Sequence, residues 1–252
     1  KYRFRLVDGL NIDILNKVYP WILEAEISGA VLGMNNSQLV WYKGTWECGR
    51  WFGGVWHSGV WMSGDWYDGT WNSHIINDKI LSVSVDVKTE DNERSIWYTG
   101  RWYKGTWQNG TWNDGRWYDG TWQNGVWYGG TWNDGTWMKG NFEGGIWVLG
   151  EWESGTFNCN NGPAYWLDGK WSGGDFENGM WYNGTWQQKN GLSRFGTNAF
   201  NSRTATWQGG KWLSGSFYSR LNTNDNGDLD VSDSHKLSIW KTGVWISGDW
   251  YG

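Results

Sequence analysis

From residue 41 onward a large aromatic recurs every fifth position, separated mostly by polar residues and glycine. One run begins WYKGT WECGR WFGGV and places Trp at 41, 46, 51, 56, 61, 66 and 71. A second steps from Trp97 through Trp102, Trp107, Trp112, Trp117, Trp122, Trp127, Trp132, Trp137, Phe142, Trp147 and Trp152 to Phe157. Shorter runs cover Trp166 to Trp186, Trp207 to Phe217 and Trp240 to Trp250. Where Trp is replaced the substitute is Phe, and of the 28 Trp only Trp21 falls outside the runs. The residue two before the aromatic is Gly throughout, except where a run opens on Leu39, Ser95, Ala164, Ala205 or Ser238.

A step of five matches neither the 3.6 period of a helix nor the period of two of a simple strand. It fits a chain that makes one short extended side and one corner per unit. Strict repetition places the aromatic (position i) inside, where an indole buries up to about 200 Å². At about 25 cal/mol per Å² that is roughly 5 kcal/mol gross, opposed by chain entropy. Coils about 4.8 Å apart set like ring over like ring. The expected ladder includes Trp46, Trp51, Trp56, Trp61, Trp66, Trp102, Trp107, Trp112, Trp117, Trp122, Trp127, Trp132 and Trp137. Gly at i−2 has two candidate causes: room for the neighbouring indole, or a positive φ at a corner. Ala and Ser at the run starts favour room; recurring Asp-Gly and Asn-Gly pairs favour the corner. Each buried indole N–H needs an acceptor, and backbone carbonyls are the expected ones.

The small-x-aromatic-x-x unit resembles the pentapeptide-repeat family, whose unit is Ala-(Asp/Asn)-Leu-x-x. The resemblance covers roughly residues 39–252, insertions excepted, with Gly in place of Ala and Trp in place of Leu or Phe. It implies an all-β fold: a right-handed β-helix with about four units per coil, hence about eight coils. Four Trp per coil would crowd the interior, so a wider coil, tilted rings or a different number of sides is expected. The Trp-x-x-Gly-x form also resembles repeat arrays of tailed-phage structural proteins.

Residues 1–38 break the pattern and read as an N-terminal cap or the end of a preceding domain, before a solenoid over 39–252. Lys1 to Leu6 alternates like a strand, Asp13 to Val18 reads as a short helix stopped before Pro20, and Ser28 to Val31 as a degenerate first corner. Insertions at 72–96 and 218–239 carry strand patterns at Lys79 to Val87 and Asp228 to Val231. Nine-residue slips, Phe157 to Trp166 and Trp186 to Phe195, fit a loop at one corner, and Phe200 keeps the period. The chain opens at Lys1 without Met and closes inside a repeat, as a piece of a longer polypeptide would.

Composition narrows the function. The 21 Lys+Arg against 26 Asp+Glu leave a net charge of −5, which disfavours sequence-independent nucleic-acid binding. No apolar stretch approaches the roughly 18 residues of a membrane helix. The segment from Asn222 to Asp233 echoes a calcium loop, with oxygen donors at Asn222, Asn224, Asn226, Asp228 and Asp233. Three Asn, and Asp in place of the bidentate Glu, make a solvated turn the simpler reading. His57, His74 and His235 are scattered, and Cys48 and Cys159 are expected to be free thiols. Asp65, Glu151, Asp175 and Asp249 share the i−1 slot; a glycosidase-like carboxylate pair is weighed there and set below a solvated face. The expectation is a non-enzymatic structural solenoid without cofactors. It would be part of a virion tail fibre, spike or decoration protein, at a virion or extracellular surface. Its partners would be other structural chains in a homo-oligomer or larger assembly, with no nucleic acid and no membrane. One alternative is a glycan-binding adhesin using exposed Tyr98, Tyr103, Tyr118, Tyr128 and Tyr182. Another, implied by the family resemblance, is a DNA mimic that inhibits a topoisomerase; interleaved Lys and Arg weaken it.

Overall fold

The computed structural model describes residues 4–72, 95–189, 191–196, 205–218 and 238–251. The expected strands at 79–87 and 228–231, the acidic loop at 90–93, Phe200 and the calcium-like loop lie outside these residues. The chain divides into two compact units, Lys1–Gly125 and Val126–Gly252. Both are β-solenoids built from short strands at the Trp-x-x-Gly-x units.

The unit of construction is a two-residue strand at i−1 and i, such as Thr106–Trp107. Each such rung pairs in parallel with the third rung along the chain, so Trp41 lies under Trp56 and Trp97 under Trp112, fifteen residues on. A coil therefore has three sides, where about four were expected. The repeat Gly at each corner sits at φ values such as +126° (Gly120) and +123° (Gly115). These are conformations that residues with a Cβ rarely adopt.

Two hydrogen bonds join each rung to the coil below. The amide after the aromatic donates to the lower aromatic's carbonyl (Gln108 N to Trp71 O, 2.7 Å). The amide before it donates to the lower glycine's carbonyl (Thr106 N to Gly69 O, 2.9 Å). The positive φ is found, and space is short as well, but the nearest obstacle is the carbonyl of the coil below rather than the indole, which stands at 3.2 Å for Gly120. A Cβ on Gly120 would stand 2.5 Å from Gly105 O, and one on Gly125 2.5 Å from Gly110 O. Leu39, Ser95, Ala164, Ala205 and Ser238 are not among the residues with positive φ. They stand where the chain starts or rejoins a run, with Leu39 inside β3 and Ala164 and Ala205 as the first residues of strands. At five corners Asp precedes the Gly and its carboxylate accepts that Gly's N–H, as Asp119 Oδ1 does from Gly120 (2.6 Å).

The indoles fill the interior completely. Within a tier, successive rings meet edge to face: Trp97–Trp102 at 6.1 Å and 71°, Trp102–Trp107 at 5.9 Å and 73°. Between tiers they stack, as in Trp66–Trp102 (4.7 Å, 6°) and Trp102–Trp117 (4.8 Å, 5°). In Lys1–Gly125 the columns include Trp41-Trp56-Trp71-Trp107, Trp46-Trp61-Trp97-Trp112 and Trp51-Trp66-Trp102-Trp117. In Val126–Gly252 they include Trp137-Trp152-Trp171-Trp186-Trp212-Trp245 and Trp132-Trp147-Trp166-Trp181-Trp207-Trp240. The third column there, Trp127-Phe142-Phe157-Phe176-Phe195-Phe217-Trp250, gathers the Phe substitutions into one file. The slot after Phe195 in the described residues belongs to Trp207, paired with Trp181.

The expected carbonyl acceptors for the indoles are met at few positions. Trp97 Nε1 donates to Asp114 O (3.2 Å) and Trp152 Nε1 to Gly173 O (3.1 Å), while Trp171 Nε1 reaches Ser193 Oγ (3.1 Å). Buried indole N–H groups such as those of Trp56, Trp61, Trp66 and Trp102 have no oxygen partner. The aromatic and glycine carbonyls are consumed by the coil above and do not point inward. What the packing offers instead is the negative face of neighbouring rings.

The first residues close the bottom tier. A short strand, β1 (Phe4–Leu6), pairs in parallel with β2 (Glu26–Asn35), which runs antiparallel to β3 (Gln38–Cys48). Between β1 and β2 lie α1 (Ile12–Val18), N-capped by Asn11, and a second short helix, α2 (Pro20–Glu24). Trp21, on α2, lies over the lowest tier, 5.1 Å from Trp51 and 6.4 Å from Trp46. Ser28 to Val31 is not a corner; it is an irregular stretch inside β2, and the first repeat corner is Gly44 (φ +122°).

Candidate functional site

With i inside and i+3 at the corner, the side chains offered to solvent are those at i−1, i+1 and i+2, in files one coil apart, with i+2 residues such as Lys104, Asp114, Asp134 and Lys139 exposed. Chemistry in the described residues has to come from these files.

The i−1 files carry ion pairs between consecutive coils. Arg101 grips Asp65 through Nε (2.6 Å) and Nη2 (2.8 Å), and Arg194 grips Asp175 in the same way (2.7 and 2.6 Å). Lys170 Nζ meets Glu151 Oε1 at 2.7 Å. Contact with Lys170 holds the Glu151 carboxyl below its ordinary range and raises the Lys170 ammonium; Asp65 likewise raises the Arg101 guanidinium. Three of the four carboxylates weighed as a catalytic pair are thus held by a cation in the neighbouring coil. Within Val126–Gly252, Asp175 and Asp249 share a file with Arg194 and Ser216 between them, while Glu151 stands in a different file.

A second exterior feature is aromatic. Phe52, Tyr67, Tyr103 and Tyr118, each at i+1 on one side of Lys1–Gly125, stack at 4.8, 4.8 and 5.0 Å with planes within 7°. Both faces of Tyr67 and Tyr103 are covered by neighbours in the file. A sugar ring therefore finds their edges and hydroxyls rather than the π-faces on which it would stack. Tyr98 (45% exposed) and Tyr182 (42%) stand further into solvent.

Near the cap, Tyr42 donates from its hydroxyl to Asp8 Oδ2 (2.6 Å) and stacks on His57 (5.6 Å, 9°). Desolvation, and then the hydrogen bond and charge of Asp8, push the Tyr42 phenol well above its ordinary 10.0. Burial also raises the Glu143 carboxyl. Cys48 and Cys159 are free, and the Cys48 thiol is raised by desolvation and by Glu26.

A third feature belongs to Val126–Gly252. On the side backed by Trp147, Trp166 and Trp181, the i−1 and i+1 positions are apolar or aromatic, with Ile146, Leu167 and Tyr182 exposed, while the adjoining i+2 file carries Leu149, Asp168 and Asn183. Spacing of the aromatics gave no sign of it, because it requires knowing which units share a side.

Asn222, Asn224, Asn226, Asp228, Asp233, His74 and His235 fall outside the described residues. Among the described residues no group of three or more His, Cys, Asp or Glu could hold a metal ion, and no helix is long and apolar enough to cross a membrane. Compared with protein-family models, with curated proteins and with solved structures, the chain matches none.

Proposed function

We propose that the chain is a non-enzymatic structural solenoid, a stiff segment of a large assembly such as a virion fibre, spike or decoration protein. The supporting observation is the use of the interior: within each unit, columns of stacked aromatic rings that are wholly buried through nearly all tiers. Such columns stabilise by packing identical side chains in register. The four coil-to-coil ion pairs, Arg101–Asp65, Lys104–Asp68, Lys170–Glu151 and Arg194–Asp175, add little affinity for a charged ligand because they are already engaged.

Pulling the single molecule between its ends tests the mechanical part. The reading expects resistance followed by release in steps of whole coils, weakened by Trp107→Ala. Smooth extension at low force would contradict it. Immunogold labelling of the polypeptide that carries the chain tests location: label on a surface appendage of a particle or cell is expected, and label confined to the cell interior contradicts it.

A further inference from the structure

We propose that the stacked indole columns of the Val126–Gly252 solenoid conduct oxidising equivalents: an electron vacancy made on a buried ring passes from indole to indole along the column to rings that water reaches. The inference goes beyond the structural reading and needs only the sealed columns.

Three observations carry it. The first is contact. Trp147, Trp166, Trp181, Trp207 and Trp240 stack at 4.7, 4.6, 4.8 and 4.8 Å with planes within 8°, so the π-orbitals of successive rings face one another directly. A second indole column runs beside it through Trp152, Trp171, Trp186, Trp212 and Trp245 at 4.8, 4.6, 4.8 and 4.9 Å. Edge contacts such as Trp181–Trp186 (5.6 Å) and Trp207–Trp212 (5.5 Å) join the two. The second observation is the fate of the proton. An indole that has lost an electron is a strong acid, and it becomes a stationary neutral radical once its N–H proton passes to an oxygen. The buried Nε1 atoms of Trp147, Trp166, Trp181 and Trp207 have no oxygen partner. The proton therefore stays on the ring and the charge stays mobile. The second column does hold acceptors, Gly173 O for Trp152 and Ser193 Oγ for Trp171, and is the poorer conductor at those rungs.

The third observation is the sorting of ring types. Phe142, Phe157, Phe176, Phe195 and Phe217 stack at 4.7, 4.6, 4.7 and 5.0 Å, as closely as the indoles do, so stacking alone does not require Trp. Yet all five stand in one column, and the other two keep indole at every described rung. A phenyl ring is much harder to oxidise than an indole, so the Phe file insulates and the Trp files conduct. Solvation sets the direction. A charge in an apolar interior is costly, and Trp250 is 51% exposed, 6.2 Å from Trp240 and 5.6 Å from Trp245. Light absorbed by a buried indole ejects an electron, which dissolved dioxygen takes to become superoxide. The neighbouring indole gives an electron to the vacancy, and the exchange repeats up the column. At Trp250 the radical cation releases its N–H proton to water. The neutral radical then takes a hydrogen atom from a dissolved thiol, which departs as a thiyl radical, and every ring is restored.

Ultraviolet irradiation of the intact chain in aerated, thiol-free buffer tests this, with oxidised indoles mapped to each Trp by peptide mass spectrometry. Product should concentrate at Trp240, Trp245 and Trp250. Trp207→Phe combined with Trp212→Phe, beside Phe217, makes the tier beneath them wholly phenyl without altering their exposure. Their share of product should then fall severalfold, and product should appear at Trp181 and Trp186. Trp132→Phe combined with Trp137→Phe removes the same number of indoles and should leave the share unchanged. Cooperative melting checks that each variant is folded; should the first fail, Trp181→Phe with Trp186→Phe, beside Phe195, sets the phenyl layer one tier lower. A share unchanged by a folded phenyl layer overturns the proposal, because exposure alone then places the damage. Flash photolysis of the unaltered chain adds a second reading. The visible band of the protonated radical cation should come first, and a neutral-radical band dominant from the outset overturns the proposal. Either failure leaves the buried-indole core and the mechanical reading intact.

Discussion

At the scale of single residues, the fold rests on a pairing of the largest side chain with the smallest. The close approach of the carbonyl in the coil below leaves no room for a Cβ at the corner, and the corner needs a backbone that only glycine adopts freely. Gly120→Ala must hold φ near +126° and push its Cβ against Gly105 O, so it should cost on the order of 3 kcal/mol in urea denaturation. Gly110→Val adds a clash with Ser95 O and Trp107 Cζ2 and should cost at least as much. Ala205→Gly, at the start of a strand and without positive φ, should cost no more than about 1 kcal/mol. Trp112→Ala should cost about 3–5 kcal/mol, and an unchanged melting temperature would deny its burial. The role of the small residue was half legible in the chain. Ala164, Ala205, Ser95 and Ser238 argued for space alone because they sit where runs open, while the regular corners are held by Gly. The indole donors were misjudged for a different reason: the coil above takes the carbonyls that were expected to face them.

At the scale of elements, the exterior is organised by the coil rather than by the five-residue unit. Asp175 and Arg194 are nineteen residues apart, one coil plus the four extra residues of a slip, as are Glu151 and Lys170. Read without the coil length, these charges look unpatterned. A double-mutant cycle on Asp175 and Arg194 should give a coupling of about 0.5–1 kcal/mol that shrinks with added salt, as befits a partly exposed pair. Asp119→Ala should cost about 1 kcal/mol by stripping the Gly120 N–H of its acceptor. The cap has its own signature. The folded state raises the Tyr42 phenol above its ordinary 10.0, so its contribution is complete below pH 10 and is lost as pH rises further. Alkaline titration of stability should show this loss in the wild type and not in Tyr42→Phe. The short helix before Pro20 was legible from Asp13 to Val18, one residue inside its start and without its Asn11 cap, whereas α2 and its Trp21 were not: five residues carry too little pattern, and the ring is placed by the tier it covers.

At the scale of the molecule, the class of fold was open to reading because the five-residue clock and the small/large alternation leave few alternatives. The number of sides was not. The clock measures one side, and only the corner angle decides how many sides close the coil. The apolar side of Val126–Gly252 follows from the same number, since assigning residues to sides requires three per coil. What remains common to every scale is that the aromatic rings face inward and are sealed from water. Iodide quenching of tryptophan fluorescence in the intact chain measures this directly. Nearly all of the emission should resist quenching, with a small accessible share from partly exposed rings such as Trp250 (51% exposed), and full access should appear only on unfolding. Quenching in the native protein as complete as in denaturant would contradict the account.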